Sequence, residues 1–161
     1  MSVPIVIDEW LLEDLAGVNG KERQGEAVYF LYKLEEICDR VVILEGSPFE
    51  NKIWELMKMS NNGSPVLRVA SQTFQGLIYT NLNKVCKLTQ ADISPLPAFL
   101  VPLINSPKDH YLFQAYRKLE NKGCFILTSD GRWNHKRLTK SGIRIQMRDQ
   151  FVPEYLNRQS P

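Results

Sequence analysis

Short runs of consecutive apolar residues, each closed by a polar turn, set the rhythm of this chain. Pro4-Ile-Val-Ile7 ends at Asp8, Val41-Val-Ile-Leu44 ends at Glu45-Gly46, and Cys124-Phe-Ile-Leu127 ends at Thr128, Ser129 and Asp130. Runs of this length with no polar interruption read as strands covered on both faces, as in a parallel sheet. Ile143-Arg-Ile-Gln-Met147 alternates instead and predicts an edge strand with a wet side.

Between these runs the period changes to that of a helix. Trp10, Leu11, Leu12 and Leu15 start a short helical pattern, which Gly17 and Asn19-Gly20 end. Over 24–39, Ala27, Phe30, Leu31, Leu34 and Cys38 form one apolar stripe with Ile37 beside it. Strand, helix and strand in this order imply parallel neighbours and a right-handed crossover. Ser47 then offers an N-cap, Pro48 a first helical position and Glu50 the third member of a capping box for a helix over 49–59. Asn61-Asn-Gly-Ser-Pro65 breaks the chain, and helical periodicity resumes to Ile78. Val85-Cys-Lys-Leu88 fits a short strand or a helical turn, and Pro95, Pro97, Pro102 and Pro107 exclude a long regular element across 94–107. A lid or a partner-binding surface is the expectation for residues 81–106. Leu112, Phe113, Tyr116 and Leu119 predict a helix over 108–122; short helices are expected at 134–139 and 149–156. The order predicts one domain over 1–161, an α/β fold with three layers, α/β/α, around a central, mainly parallel sheet.

Composition narrows the class. Of 161 residues, 43% are hydrophobic and 24% charged, which fits a soluble globular chain and no membrane partner. The opening residues lack a positive n-region and read as a strand, not a signal peptide. Cys38, Cys86 and Cys124 are widely spaced and lack a Cys-x-x-Cys pair, so reduced, mostly buried thiols in a cytoplasmic protein are expected. The net charge of +2 hides an asymmetry: acids dominate residues 1–60 and bases dominate 108–148. Scattered charges usually form only a solvated face. The cluster Arg132, His135, Lys136, Arg137 and Lys140 is denser and suggests a polyanionic partner.

Asp8 and Asp130 both end predicted strands, and Asp109 starts the helix that feeds the Asp130 strand. Each has a plain alternative: Asp130-Gly131 as a turn pair, Asp109 as a charge at a helix N-terminus. Glu55 lies among Ile53, Trp54, Leu56 and Met57, facing either solvent or a site. Carboxyl ends of parallel strands and N-termini of the intervening helices share one edge of such a fold, where ligands bind. Acids gathered there make a hard oxygen site suited to Mg²⁺ or Mn²⁺, not zinc. No Gly-rich dinucleotide fingerprint follows the early strands, and an aspartate-based phosphatase would want an acid where Trp10 stands.

Ile5-Val-Ile-Asp8, Ile53-Trp-Glu55-Leu-Met57, Lys108-Asp109-His-Tyr-Leu-Phe-Gln-Ala-Tyr116 and Ile126-Leu-Thr-Ser-Asp130-Gly-Arg-Trp133 together resemble the PIN-domain ribonucleases. Gly142-Ile-Arg-Ile145 and Phe151-Val-Pro-Glu-Tyr-Leu156 resemble the closing strand and helix of that family, and 60–105 is the least similar stretch. The resemblance implies an endoribonuclease with one or two Mg²⁺ or Mn²⁺ ions on Asp8, Glu55, Asp109 and Asp130, with Glu50 as the alternative helical acid. Ser129 would support a carboxylate, and Arg132, Lys136, Arg137 and Lys140 would meet RNA phosphates. Trp133 or His135 would stack an unpaired base. RNA is the implied partner, and the family also allows an antitoxin-like inhibitor or a homodimer. Glu9 and Trp10 depart from the small hydroxyl residue and Asn that usually follow the first aspartate. That departure supports the alternative of a catalytically weakened module that binds RNA or protein.

Overall fold

The computed structural model describes residues 2–159. Pro4–Ile7 (β1), Arg40–Leu44 (β2), Val85–Leu88 (β3), Phe125–Thr128 (β4) and Ile145–Met147 (β5) form an all-parallel sheet in the order β3-β2-β1-β4-β5. The stretch that fitted either a strand or a helical turn is therefore a strand, at one edge. From β1 the chain first winds outward through β2 to β3, then crosses back to lay β4 on the other side of β1. The winding reverses between β1 and β4. In open α/β sheets a crevice opens at the carboxyl ends of strands at such a reversal.

Strand alternation sorts the apolar residues into two cores. Ile5, Ile7, Val41, Ile43 and Leu127 point to one face of the sheet. There they meet Trp10–Leu15 (α1), Lys21–Ile37 (α2), Pro48–Ser60 (α3), Pro65–Phe74 (α4) and Arg148–Leu156 (α7). Val6, Val42, Leu44 and Ile126 point to the opposite face, against His110–Leu119 (α5) and Lys136–Lys140 (α6). The fold is three-layered, α/β/α. Continuous apolar runs such as Pro4–Ile7 are buried throughout because helices cover both faces.

Local chemistry sets the helix ends. Ser47 Oγ accepts from Glu50 N at 3.2 Å, and Glu50 Oε1 reaches back to Gly46 N at 3.1 Å. Glu50 is thus spent on capping α3. Ser64 caps α4 in the same way, accepting from Leu67 N at 3.2 Å. Lys84 is buried and donates to Glu35 O at 2.6 Å, which satisfies a carbonyl in the last turn of α2. Cys38, expected on the buried stripe, is exposed instead. The helix stops at Ile37, and Cys38 takes a left-handed φ of 70° that turns it off the stripe. Cys86 is half-buried and only Cys124 is fully buried.

Asp39, Asp14 and Arg148 are also sealed inside the scaffold. Asp39 accepts from Val3 N at 3.0 Å and from Tyr155 Oη at 2.8 Å, which fastens the amino ends of the strands to α7. Asp14, 0% exposed, lies 3.4 Å from Arg148 Nε, and Arg148 also sits over the Trp10 ring. Arg148 therefore belongs to the scaffold and not to the basic surface. Removing one partner of a buried ion pair leaves the other charge uncompensated, whereas replacing both by apolar groups is often neutral. Arg148→Ala is expected to cost about 3–5 kcal/mol in urea unfolding, and the double variant Asp14→Leu/Arg148→Met much less. Equal losses in the two would contradict the pairing.

Candidate functional site

The parallel register Ile7↔Leu127 sets Asp8 alongside Thr128 just as both strands end. Thr128 is fully buried and joins the two acids across the reversal. Its hydroxyl donates to Asp8 Oδ2 and accepts from Asp130 N at 3.0 Å. Asp8 Oδ1 accepts from Trp10 N at 3.1 Å, so the same carboxylate serves the start of α1. Leu127 O holds the other side, accepting from Asp8 N at 3.2 Å and Trp10 Nε1 at 3.1 Å. Trp10 thereby spends its indole N–H on the scaffold and presents no polar group to a ligand.

A cavity of about 230 Å³ opens over this junction; Asp8, Glu9, Asp109, Tyr111, Asp130 and Arg132 are among its lining residues. Three of the four acids expected from the sequence meet in it. Asp109 stands at the N-terminus of α5 and makes no side-chain capping bond. Dipole compensation alone does not account for its direction, because its Oδ2 accepts from Arg132 Nη2 at 3.2 Å. Asp130 accepts from Arg132 N at 3.0 Å and takes the guanidinium on both oxygens, with Nη2 at 2.6 Å from Oδ2.

Glu55 stays out of the cavity. Its side chain is 63% exposed and lies 3.7 Å from Lys52, which is equally close to Glu13. It sits two helical turns into α3, too far from the N-terminus for its lean to bring it to the strand ends. Glu9 and Glu13 line the cavity in its place. Ser129 also lines it, but the carboxylate support expected of Ser129 comes from Thr128. Trp133 is buried edge-on against Phe113 and is not free to stack a base. His135 Nδ1 accepts from Arg137 N at 3.1 Å and caps α6. Lys136, Arg137 and Lys140 remain exposed.

The electrostatics follow from burial and from Arg132. Burial pushes the Asp8 carboxyl up to about 6, against the pull of the Thr128 and Trp10 hydrogen bonds. Burial also raises Glu9, which Lys52 partly offsets. Asp130 is lowered, first by its hydrogen bonds from the Arg132 side chain. Tyr111 Oη is buried with no hydrogen-bond partner, and burial raises its phenol. The donor set is all hard oxygen and fits Mg²⁺ or Mn²⁺ in kind. As arranged, no three His, Cys, Asp or Glu among the described residues stand close enough together to hold an ion. The cation between Asp109 and Asp130 is the Arg132 guanidinium.

Because the folded pKa of Asp8 lies above its ordinary 3.8, the folded chain binds this proton more tightly than the unfolded one. The stability from this group is full below about pH 4 and is lost as pH rises through about 6. Asp8→Asn is therefore expected to stabilise the fold at neutral pH by about 1–3 kcal/mol. The gain should vanish below about pH 4. Chemical denaturation at both pH values measures it, and a variant no more stable than wild type at neutral pH contradicts the strained carboxylate. No family model, curated protein or solved structure matches this chain, so its functional reading rests on this cavity.

Proposed function

We propose that the cavity hydrolyses phosphodiester bonds of RNA with the help of Mg²⁺ or Mn²⁺, as a PIN-like endoribonuclease. The observation that carries this reading is the meeting of Asp8, Asp109 and Asp130, from distant parts of the sequence, in one cavity over the β1–β4 reversal. These three carboxylates, with Glu9 beside them, would hold the ion only after drawing closer together than they stand with Arg132 between them. When bound, such an ion polarises a phosphate and supplies a nucleophile at neutral pH. Thr128 fixes the direction of Asp8 and the backbone of Asp130 together. Arg132 is within reach of a phosphate entering the cavity, and Lys136, Arg137 and Lys140 would hold the neighbouring phosphates without reading sequence. Trp133 is buried, and Trp10 and Tyr111 are the aromatic residues that line the cavity. The free thiols fit a reducing, cytoplasmic setting.

The second reading is an RNA-binding module that does not cut. It is favoured by Trp10, whose indole N–H is committed to Leu127 O where the family usually offers a polar side chain. Calorimetry separates the two. A module that gives no heat with Mn²⁺ yet binds RNA with a steep salt dependence is not a nuclease.

Under the nuclease reading, single-stranded RNA is cleaved when Mg²⁺ or Mn²⁺ is present and not when EDTA removes it. Asp8→Asn and Asp130→Asn should each lower the rate by at least about 100-fold, and Thr128→Val by about 10–100-fold, the usual cost of losing a group that orients a ligand. Equal cleavage by wild type and both aspartate variants rejects the proposal.

A further inference from the structure

Arg132 holds two of the three cavity acids at once. Its Nη2 lies 2.6 Å from Asp130 Oδ2 and 3.2 Å from Asp109 Oδ2, and its Nε lies 3.1 Å and 3.0 Å from the two Asp130 oxygens. Both Asp130 oxygens are thus taken by one fork. A divalent ion bridging Asp109 and Asp130 would need the position that Nη2 holds between them. The guanidinium and the ion are therefore alternatives.

The fork is also free to leave. The Arg132 side chain is 59% exposed, and its guanidinium lies over the Trp133 ring at 4.8 Å. Exposed ion pairs are usually worth little to the fold, and a two-point fork such as this one is among the stronger of them. A phosphate diester offers a guanidinium the same two-point geometry as a carboxylate. A phosphate at the cavity mouth can accept the fork without leaving any charge unpaired, provided a metal takes over the two aspartates.

We propose that Arg132 is an internal counter-cation that keeps Asp109 and Asp130 from a divalent ion until an RNA phosphate draws it off. This inference rests on the metal-dependent reading above and adds a control to it. Metal and RNA then favour each other, because each removes an obstacle to the other, and that coupling is reciprocal. Lys52 cannot serve the same purpose, since it reaches Glu13 and Glu55 and not Asp130.

Mn²⁺ binding without RNA, read from the electron paramagnetic resonance of the free ion, tests this. Arg132→Gln should bind Mn²⁺ about fivefold more tightly than wild type, the factor that corresponds to losing one partly exposed ion pair. Arg132→Lys keeps the charge but loses the two-point fork, so it should fall between the two. Lys108→Gln removes an exposed charge next to Asp109 in sequence and should leave the affinity within about twofold. An unchanged or weaker Arg132→Gln, beside a wild type that binds Mn²⁺, overturns this inference alone. Equal tightening by Arg132→Gln and Lys108→Gln overturns it too, because Arg132 would then be only a distant charge. Failure of every variant to bind Mn²⁺, with the fold intact by circular dichroism, overturns both the inference and the metal-dependent reading.

Discussion

Carboxylates brought to one end of a parallel sheet repel one another, and the way that repulsion is absorbed governs this cavity. Each acid is handled differently. Asp8 is buried, and burial raises its carboxyl to about 6 even though two hydrogen bonds favour the charged form. Asp130 and Asp109 are neutralised by a shared guanidinium. Glu13 borrows Lys52, whose field also reaches Glu9. A site assembled this way is costly to the fold unless a cation arrives. That tension is the strongest physical argument for a ligand of positive charge, and for treating the local cations as provisional partners.

The reversal between β1 and β4 makes the gathering possible. Had β4 added to the outer side of β3, Asp130 would stand several strands away from Asp8. Neighbouring parallel strands are roughly 5 Å apart, so one strand of displacement already exceeds hydrogen-bond reach. The Thr128 hydroxyl exploits the adjacency directly. Trp10 shows the same economy: its backbone serves the acid, its indole N–H serves the β4 carbonyl, and its ring packs on Phe30. The residue that departs from the PIN-like pattern has become part of the frame.

Much of the frame was legible in the sequence because its signals are local. Apolar runs marked β1, β2 and β4; Ser47 and Ser64 marked two helix starts; alternation marked β5 as an edge. β3 was ambiguous because four residues at an edge, with Lys87 exposed between Cys86 and Leu88, carry too little periodicity to separate strand from turn. The site was legible only as far as strand ends and helix starts could place it, which suffices for Asp8, Asp109 and Asp130. Glu55 failed because the direction of a mid-helix side chain depends on the helix's rotation, and no local pattern sets that. Thr128 and Arg132 were hidden for a different reason. Their roles arise from contacts across the reversal, and strand order is a long-range property.

The opposite rim of the sheet behaves in another way. There Asp39 is buried and accepts from a backbone amide and from a phenol of α7. One rim fastens the amino ends of the strands to α7, while the other holds a partly exposed guanidinium. Substitution of exposed residues around the acidic rim, Arg132 among them, therefore leaves that far-side clamp untouched.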